Sequence, residues 1–427
     1  MNGSVIPKTW QEVLISQIAK GGQFFDGDWV ESKDQDPNGD VRLTQLADVG
    51  EGAFRHRSNR WLRTDQADAL GVTYIEPGDL LIARMPDPMG RCCEVPNLNT
   101  RAVTVVDVAV VRVNKPDILP KFLMWAINAP RTRTTIESLA SGTTRQRISR
   151  KNLGKVAVPI PPLPEQQRIV DILEEQFSRL DASLASIRMV RAKAARFRRS
   201  LLHNALHLGD LSDLPDGWIQ TLMSEVAHVD SGRTPSKFES RLADNPRDGR
   251  HVPFYKVGDM NNSPMFMDDA RVHFAPEEAR GFGIEVLQPG TVVFPKAGGA
   301  IATNKKRVIR TPGAVDLNCM AVTAKDEMEP RLLYWFFESF NLSDLADGSV
   351  LPQIGKRKVQ ATPIAIPKDL QSQRLVVDEI ESQVSKLTAG LAIADQLEAR
   401  IAAERRSLLH AAFTGTLTAQ WRETHNG

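Results

Sequence analysis

The sequence predicts an α+β chain: two globular domains of mixed helix and strand, each followed by one long helix. The two helices are expected to pair as an antiparallel coiled coil, giving the chain pseudo-two-fold symmetry. Three observations predict this. The segment Arg198-Arg199-Ser200-Leu201-Leu202-His203 returns as Arg405-Arg406-Ser407-Leu408-Leu409-His410. The apolar stripe before it also returns. Leu173, Phe177, Leu180, Leu184, Ile187, Val190 and Ala194 match Ile380, Val384, Leu387, Leu391, Ala394, Leu397 and Ile401, always 207 positions apart. Upstream of the stripes the repeat continues at an offset that wanders between 206 and 212. A long internal repeat fixes an architecture before any local motif does. A fixed offset means that length and register are held, whereas a drifting one means loop insertions, which surfaces tolerate.

The first domain is expected over residues 1–160. Its apolar runs are short and β-branched, as in Val103-Thr104-Val105-Val106 and Val108-Ala109-Val110-Val111, and Pro-Gly turns separate them. That pattern reads as strands. A helical stretch from Pro120 to Ala140 is the exception, opening on proline and carrying Phe122, Leu123, Trp125 and Ala126 at helical spacing. The first long helix is expected over 161–208. Pro161-Pro162-Leu163-Pro164-Glu165 supplies the proline and the acid that a helix start favours.

The second domain, 209–366, repeats the first in order. Pro215-Asp216-Gly217-Trp218 resembles Pro7-Lys8-Thr9-Trp10. The stretch from Val252 to Asp259 resembles that from Val41 to Asp48, and Pro289-Gly290-Thr291-Val292 resembles Pro77-Gly78-Asp79-Leu80. Phe122-Leu123-Met124-Trp125 is echoed by Leu332-Leu333-Tyr334-Trp335, and the exit Val158-Pro159-Ile160-Pro161 by Ile364-Ala365-Ile366-Pro367. The second long helix is expected over 367–415, with Asp369 as its cap, and a tail over 416–427. The stripe steps are close to a heptad seam. A helix of ~40 residues spans about 60 Å and alone would bury nothing. Pairing with its twin answers that for both; separate packing of each helix on its own domain is the alternative.

Bulk properties bound the function. A chain of 427 residues exceeds one ordinary core. With 41% hydrophobic and 25% charged residues it is neither disordered nor fibrous. The net charge of +2 announces no polyanionic partner, so local clusters must carry that case. Cys92, Cys93 and Cys319 make no complete disulfide set and no Cys-x-x-Cys pair. The chain opens without a signal pattern and has no long uncharged apolar run. A cytoplasmic protein is expected, with no membrane partner, no metal, no cofactor and no catalytic residues. The phosphate-binding loop, His-Glu-x-x-His and Gly-x-Ser-x-Gly are all absent. Glu31-Ser32-Lys33 is too short a fragment to carry a nuclease site. Cys92-Cys93 reads as a pair of buried small apolar residues rather than a redox pair.

Basic clusters point elsewhere. Between Arg131 and Lys155 lie Arg131, Arg133, Arg145, Arg147, Arg150, Lys151 and Lys155, with Thr143, Thr144, Gln146, Ser149 and Asn152 among them. The second domain carries Lys296, then Lys305, Lys306, Arg307 and Arg310, then Gln353 with Lys356, Arg357 and Lys358. Arg and Lys neutralise phosphates, and Arg, Asn, Gln and Thr read base edges. One basic run is equally a solvated face; two at matching places favour contact with double-stranded DNA. Arg55, Arg57 and Arg60 form a basic loop or a plain surface loop. Asp230-Ser231-Gly232-Arg233-Thr234-Pro235-Ser236 is a phosphate-approach loop through Arg233, Thr234 and Ser236, or a simple turn.

Taken together, Pro162-Leu163-Pro164-Glu165-Gln166-Gln167-Arg168, its weaker copy Gln371-Ser372-Gln373-Arg374, and the Arg405 to His410 segment followed by Ala411-Ala412-Phe413-Thr414-Gly415 resemble the specificity subunits of type I restriction–modification systems. The Gly-x-Thr-Pro-Ser segment at 232–236 is similar as well. The resemblance implies that 1–160 and 209–366 are target-recognition domains, each reading half of a bipartite DNA sequence. It implies a helical spacer setting the gap between the halves, and a non-catalytic subunit docking two methyltransferase subunits and restriction motor–nuclease subunits. Methyl transfer, ATP hydrolysis and cutting would then be the partners' work. Gly21-Gly22-Gln23-Phe24 departs from the Gly-x-Thr-Pro pattern, and the first helix lacks the Thr-Gly ending of the second. A stand-alone DNA-modifying enzyme with unrecognised catalytic residues and a coiled-coil adaptor that reads no DNA are the competing readings.

Overall fold

The computed structural model describes residues 6–19, 23–86, 88–142, 145–207, 214–244, 250–262, 264–348 and 350–425. Gly21, Gly22, Thr143, Thr144 and the junction 208–213 lie outside the described residues. The chain divides into two compact units. One comprises 1–187 and 395–427, the other 188–394.

In the first unit the elements run β1 (Gln11–Leu14), α1 (Ile15–Ile18), β2 (Gln23–Asp26), β3 (Val41–Thr44), β4 (Trp61–Leu62), α2 (Thr64–Leu70), β5 (Leu80–Ala83), β6 (Cys92–Glu94), β7 (Ala102–Thr104), β8 (Val108–Arg112), α3 (Pro120–Asn128), α4 (Pro130–Ser138), α5 (Arg150–Leu153), β9 (Ala157–Ile160) and α6 (Leu163–Ala205). Strands β2, β8, β5 and β6 form an antiparallel sheet in that order. A second sheet, β4-β3-β7, has β3 parallel to β7. The short pair β1–β9 closes the domain. Leu80, Ile82, Ala109 and Val111 turn one face of the larger sheet onto α3, and Leu81, Ala83, Val108 and Val110 turn the other inward, so these strands are apolar on both sides. Cys92 and Cys93 are buried free thiols in this sheet, held protonated by burial.

The second unit repeats the plan with β10 (Trp218–Leu222), α7 (Met223–Val226), β11 (Ala227–Ser231), β12 (Ala243–Asp244), β13 (Val252–Tyr255), β14 (Phe266–Met267), β15 (Val272–Phe274), α8 (Pro276–Gly281), β16 (Val292–Pro295), β17 (Arg307–Ile309), β18 (Ala314–Val315), β19 (Cys319–Ala324), α9 (Pro330–Glu338), α10 (Lys356–Gln360), β20 (Pro363–Pro367) and α11 (Leu370–Phe413). Its sheets are β11-β19-β16-β17-β14 and β12-β15-β13-β18, and β10 pairs with β20. The repeated sequence marks repeated construction. Asp48 Oδ2 accepts from the Gln45 amide and Asp48 Oδ1 from the Ser58 amide; Asp259 does the same for Lys256 and Arg271.

Each long helix is stapled to its domain by one buried glutamine. Gln166 Oε1 accepts from the Leu119 amide, while its Nε2 donates to the carbonyls of Asp117 and Pro161. Gln373, 207 positions on, accepts from the Glu329 amide and donates to the carbonyls of Glu327 and Pro367. Both are fully buried. Three hydrogen bonds to backbone groups replace the water those groups would lose, so the glutamines of the motif are structural. Asp369 caps α11, accepting from the Ser372 amide at 2.8 Å.

The two helices pack together antiparallel within each unit. In the first, the beginning of α6 lies on the end of α11: Leu173, Phe177 and Leu180 share a core with Leu409, Ala412 and Phe413. Arg405 sits over the Phe177 ring at 4.3 Å and pairs with Asp181 at 2.7 Å. In the second, Leu202 of α6 and Leu206 just past its end share a core with Val377 and Ile380 of α11, and Arg198 pairs with Glu338 of α9. The stripe is incomplete, however. Val190 and Leu397 are 51% and 46% exposed. Ile187, Ala194 and Ala394 beside them stay buried, so at mid-length the seam is covered at alternate stripe positions.

The segment expected as a tail is a helix, α12 (Ala419–His425). Arg422 and Thr418 both reach the buried Glu165 carboxylate, which also accepts from Trp10 Nε1 at 2.9 Å. Glu165 is therefore the hub of a buried network more than a partner for the helix dipole. Gly415, at φ 80°, brings the backbone against Pro7, where a side chain would collide with the ring.

Candidate nucleic-acid interface

In both units one loop is built the same way just before a short helix. Ser141 and Arg147 exchange two backbone hydrogen bonds of 3.0 and 2.9 Å, and Asp347 and Gln353 exchange two of 2.9 Å. The second loop residue is glycine in the left-handed region, Gly142 at φ 104° and Gly348 at φ 86°. The residue after the bridge is buried isoleucine, Ile148 or Ile354. Its amide donates to the carbonyl of Arg84 or Lys296 at the end of β5 or β16. Each loop is thus bridged at its base and tied there to a sheet end.

The side chains at the root explain part of the basic runs. Arg84 is 6% exposed and pairs with Asp26 at 2.6 Å; it donates to the carbonyls of Ile148 and Val106. Burial pulls its basicity down against the opposing pull of Asp26. Arg147 adds a bond to the Val106 carbonyl and an ion pair with Asp107 at 3.3 Å. Lys296 stands in the place of Arg84, and its Nζ donates to Ser231, which stands in the place of Asp26.

The expected DNA-contacting residues fall into two groups. Arg55, Arg57, Arg60, Arg145, Lys151, Arg233, Lys356 and Arg357 are exposed cations that have no ion-pair partner among the described residues. Gln146, Ser236 and Gln353 are exposed beside them. The loop with Arg55, Arg57 and Arg60 is pinned at its middle. Ser58 donates through its amide to Asp48 and through its hydroxyl to the Leu43 carbonyl, leaving the three arginines pointing outward.

The second group is engaged with other groups of the chain, at the surface or within it. Arg131 pairs with Glu12 at 2.8 Å, Arg133 with Glu51 at 3.2 Å, and Lys358 with Asp347 at 2.7 Å. Thr234 accepts from the Leu317 amide, so this hydroxyl braces a turn. Lys305 donates to Asn261. Arg307 is half-buried and donates to the carbonyls of Met260 and Lys306. Lys306 is a correction to the sequence reading. It is 1% exposed, and its Nζ donates to Asn304 Oδ1 and the Phe340 carbonyl at 2.8 Å. Burial pushes its ammonium down to about 8. It cannot reach a phosphate from there.

Two residues that the reading of charges missed stand at the tip of the second loop. Val350 and Leu351 are 89% and 75% exposed, the two most exposed large apolar side chains among the described residues. The signal was available in the repeat, since Leu351 falls 206 positions after Arg145. Among the described residues no group of His, Cys, Asp and Glu is arranged to hold a metal ion. No described helix is long and apolar enough to cross a membrane.

Residues 7–186 match the family described as type I restriction modification DNA specificity domain. The specificity subunit of the type I restriction enzyme EcoBI from Escherichia coli is 23% identical over 381 residues, spanning 82% of this chain and 76% of the relative. The MjaVIII specificity subunit from Methanocaldococcus jannaschii is 23% identical over 264 residues, 58% of this chain and 60% of the relative. Among solved structures, a chain from work on complex assembly and conformational transition of the type I R-M system superposes with a TM-score of 0.76 at 18% identity, covering 96% of this chain and 99% of that one. The HsdS subunit from Thermoanaerobacter tengcongensis gives 0.54 at 20%, covering 96% and 98%. These two likenesses show a shared fold.

Proposed function

We propose that this chain, a relative of the type I restriction–modification specificity subunits, reads a bipartite DNA target, one half through each domain. The observation that carries the reading is the pair of matching loops, each mounted on a sheet end and followed by a short helix with exposed cations. Cations on a rigid mount meet phosphates and release counterions. Polar or apolar side chains at the tip then face base edges. In this reading 1–160 and 209–366 are the readers, and the exposed set from Arg55 to Arg357 contacts DNA.

The paired helices are the spacer. Their 43 and 44 residues and their common register suit an element whose length matters. In this reading the chain brings recognition and docks two methyltransferase subunits and restriction motor–nuclease subunits, which supply the chemistry. Mapping methylated positions in DNA from cells that carry this chain with its methyltransferase partner tests it. The expected result is two short read sequences separated by a fixed unread gap, a gap that shifts or fails when one heptad is inserted in α6. Methylation by the purified chain alone, or a continuous target, would overturn the proposal.

A further inference from the structure

The two matching loops end in different chemistry. The first presents Arg145 and Gln146, a hydrogen-bonding pair. The second presents Val350 and Leu351, almost fully in water on a loop closed at both ends. Exposing two large aliphatic side chains gains almost nothing for folding, because little of either is removed from water. The base of the loop is fixed: Asp347 and Gln353 are bridged, and Lys358 ties α10 to Asp347.

Resting on the reading that these loops approach DNA, we infer that Val350 and Leu351 form an apolar reading tip that selects thymine through its 5-methyl group. An aliphatic side chain offers no hydrogen bond to a base. In the major groove the feature it can recognise is the thymine methyl, the one apolar group on the base edges. The neighbouring exposed cations Lys356 and Arg357 favour a nucleic acid over an apolar protein surface as the occupant, since a dry protein contact would have to desolvate both. The half-site read by the second domain therefore contains thymine at one or two positions facing the tip. The half-site read by the first is held through the polar edges that Arg145 and Gln146 can bond.

The test is selection of bound duplexes by the chain assembled with its methyltransferase subunits. One randomised pool is made with thymine, and an otherwise identical pool with deoxyuridine, which lacks the methyl. The expected outcome is a bipartite sequence from the thymine pool with fixed thymine in one half. That preference weakens about fourfold for each methyl removed in the deoxyuridine pool, while the other half is unchanged. Val350→Ser with Leu351→Ser, both in solvent-exposed positions, should abolish the thymine preference and leave the other half-site intact. Identical bipartite sequences from both pools would overturn the inference while leaving DNA reading in place. No enriched sequence in either pool would overturn both. Loss of the methyltransferase subunits from the doubly substituted chain, with base preference unchanged, would overturn the inference and assign the tip to a protein contact instead.

Discussion

Removing the Arg422 guanidinium should cost more than any other single surface-proximal change in the first unit. Glu165 is 1% exposed. Its carboxylate receives two guanidinium bonds at 2.7 and 3.0 Å, the Thr418 hydroxyl at 2.6 Å and the Trp10 indole at 2.9 Å. Arg422→Met keeps the apolar stem near the Trp10 ring but leaves a buried anion with only two neutral donors. Breaking a buried pair in this way costs about 3–5 kcal/mol. At 1.4 kcal/mol per tenfold, α12 and the β1–β9 edge should open on the order of a hundredfold to a thousandfold more often. Hydrogen exchange of amides in 11–14 and 419–425 reads that opening directly, and guanidinium unfolding reads the global loss. The cycle is completed with Glu165→Leu and the double variant. Removing both charges should restore part of the loss, with a coupling of about 1–3 kcal/mol. An Arg422→Met variant within about 1 kcal/mol of the parent, or strictly additive costs, would refute the claim that this network is tight.

Three further outcomes are expected. Reversing Arg55, Arg57 and Arg60 to glutamate should weaken DNA binding and flatten its salt dependence, by up to about 0.9 in log–log slope for each phosphate no longer neutralised, measured by titration across salt concentrations. Lys306→Met should leave DNA affinity within about twofold, because the side chain is buried away from any phosphate. Lys306 in the folded chain releases its proton near 8, against an ordinary 10.5, so its burial costs stability below pH 8, and that cost fades as pH rises toward 10.5. The variant should lose this rise in stability with pH in denaturant titrations. Gln373→Leu strands the Glu329 amide and two carbonyls and should destabilise the second unit by roughly 2–4 kcal/mol, read as an earlier denaturant midpoint; Gln166→Leu should do the same in the first.

The fold was legible where physical constraint repeats itself in sequence. Asp48 and Asp259, Gln166 and Gln373, and the proline exits each perform one backbone task twice, so the residue types had to match. The site was less legible because a run of charges does not say which side chains face inward. Lys306 stands one step before β17 on the same side as the largely buried Val308, as the two-residue period of a strand requires. Grouping it with Lys305 and Arg307 by charge hid that. Arg147, Arg133 and Lys358 each have a carboxylate within 3.3 Å, which a run of charges does not reveal. Val350 and Leu351 escaped notice because a search for DNA contacts by charge passes over apolar residues.

The division of the chain into units also sets an order of assembly. The second unit draws on one continuous stretch, 188–394, and can close as soon as that stretch has left the ribosome. The first needs 395–427 in addition to 1–187. Until α11 is finished, Leu173, Phe177 and Leu180 wait without Leu409, Ala412 and Phe413. At typical synthesis rates of ~5–20 residues per second the roughly 200 intervening residues take tens of seconds. The half that is made first is thus completed last, and its bare helix face is where a nascent chain of this kind would most need a chaperone.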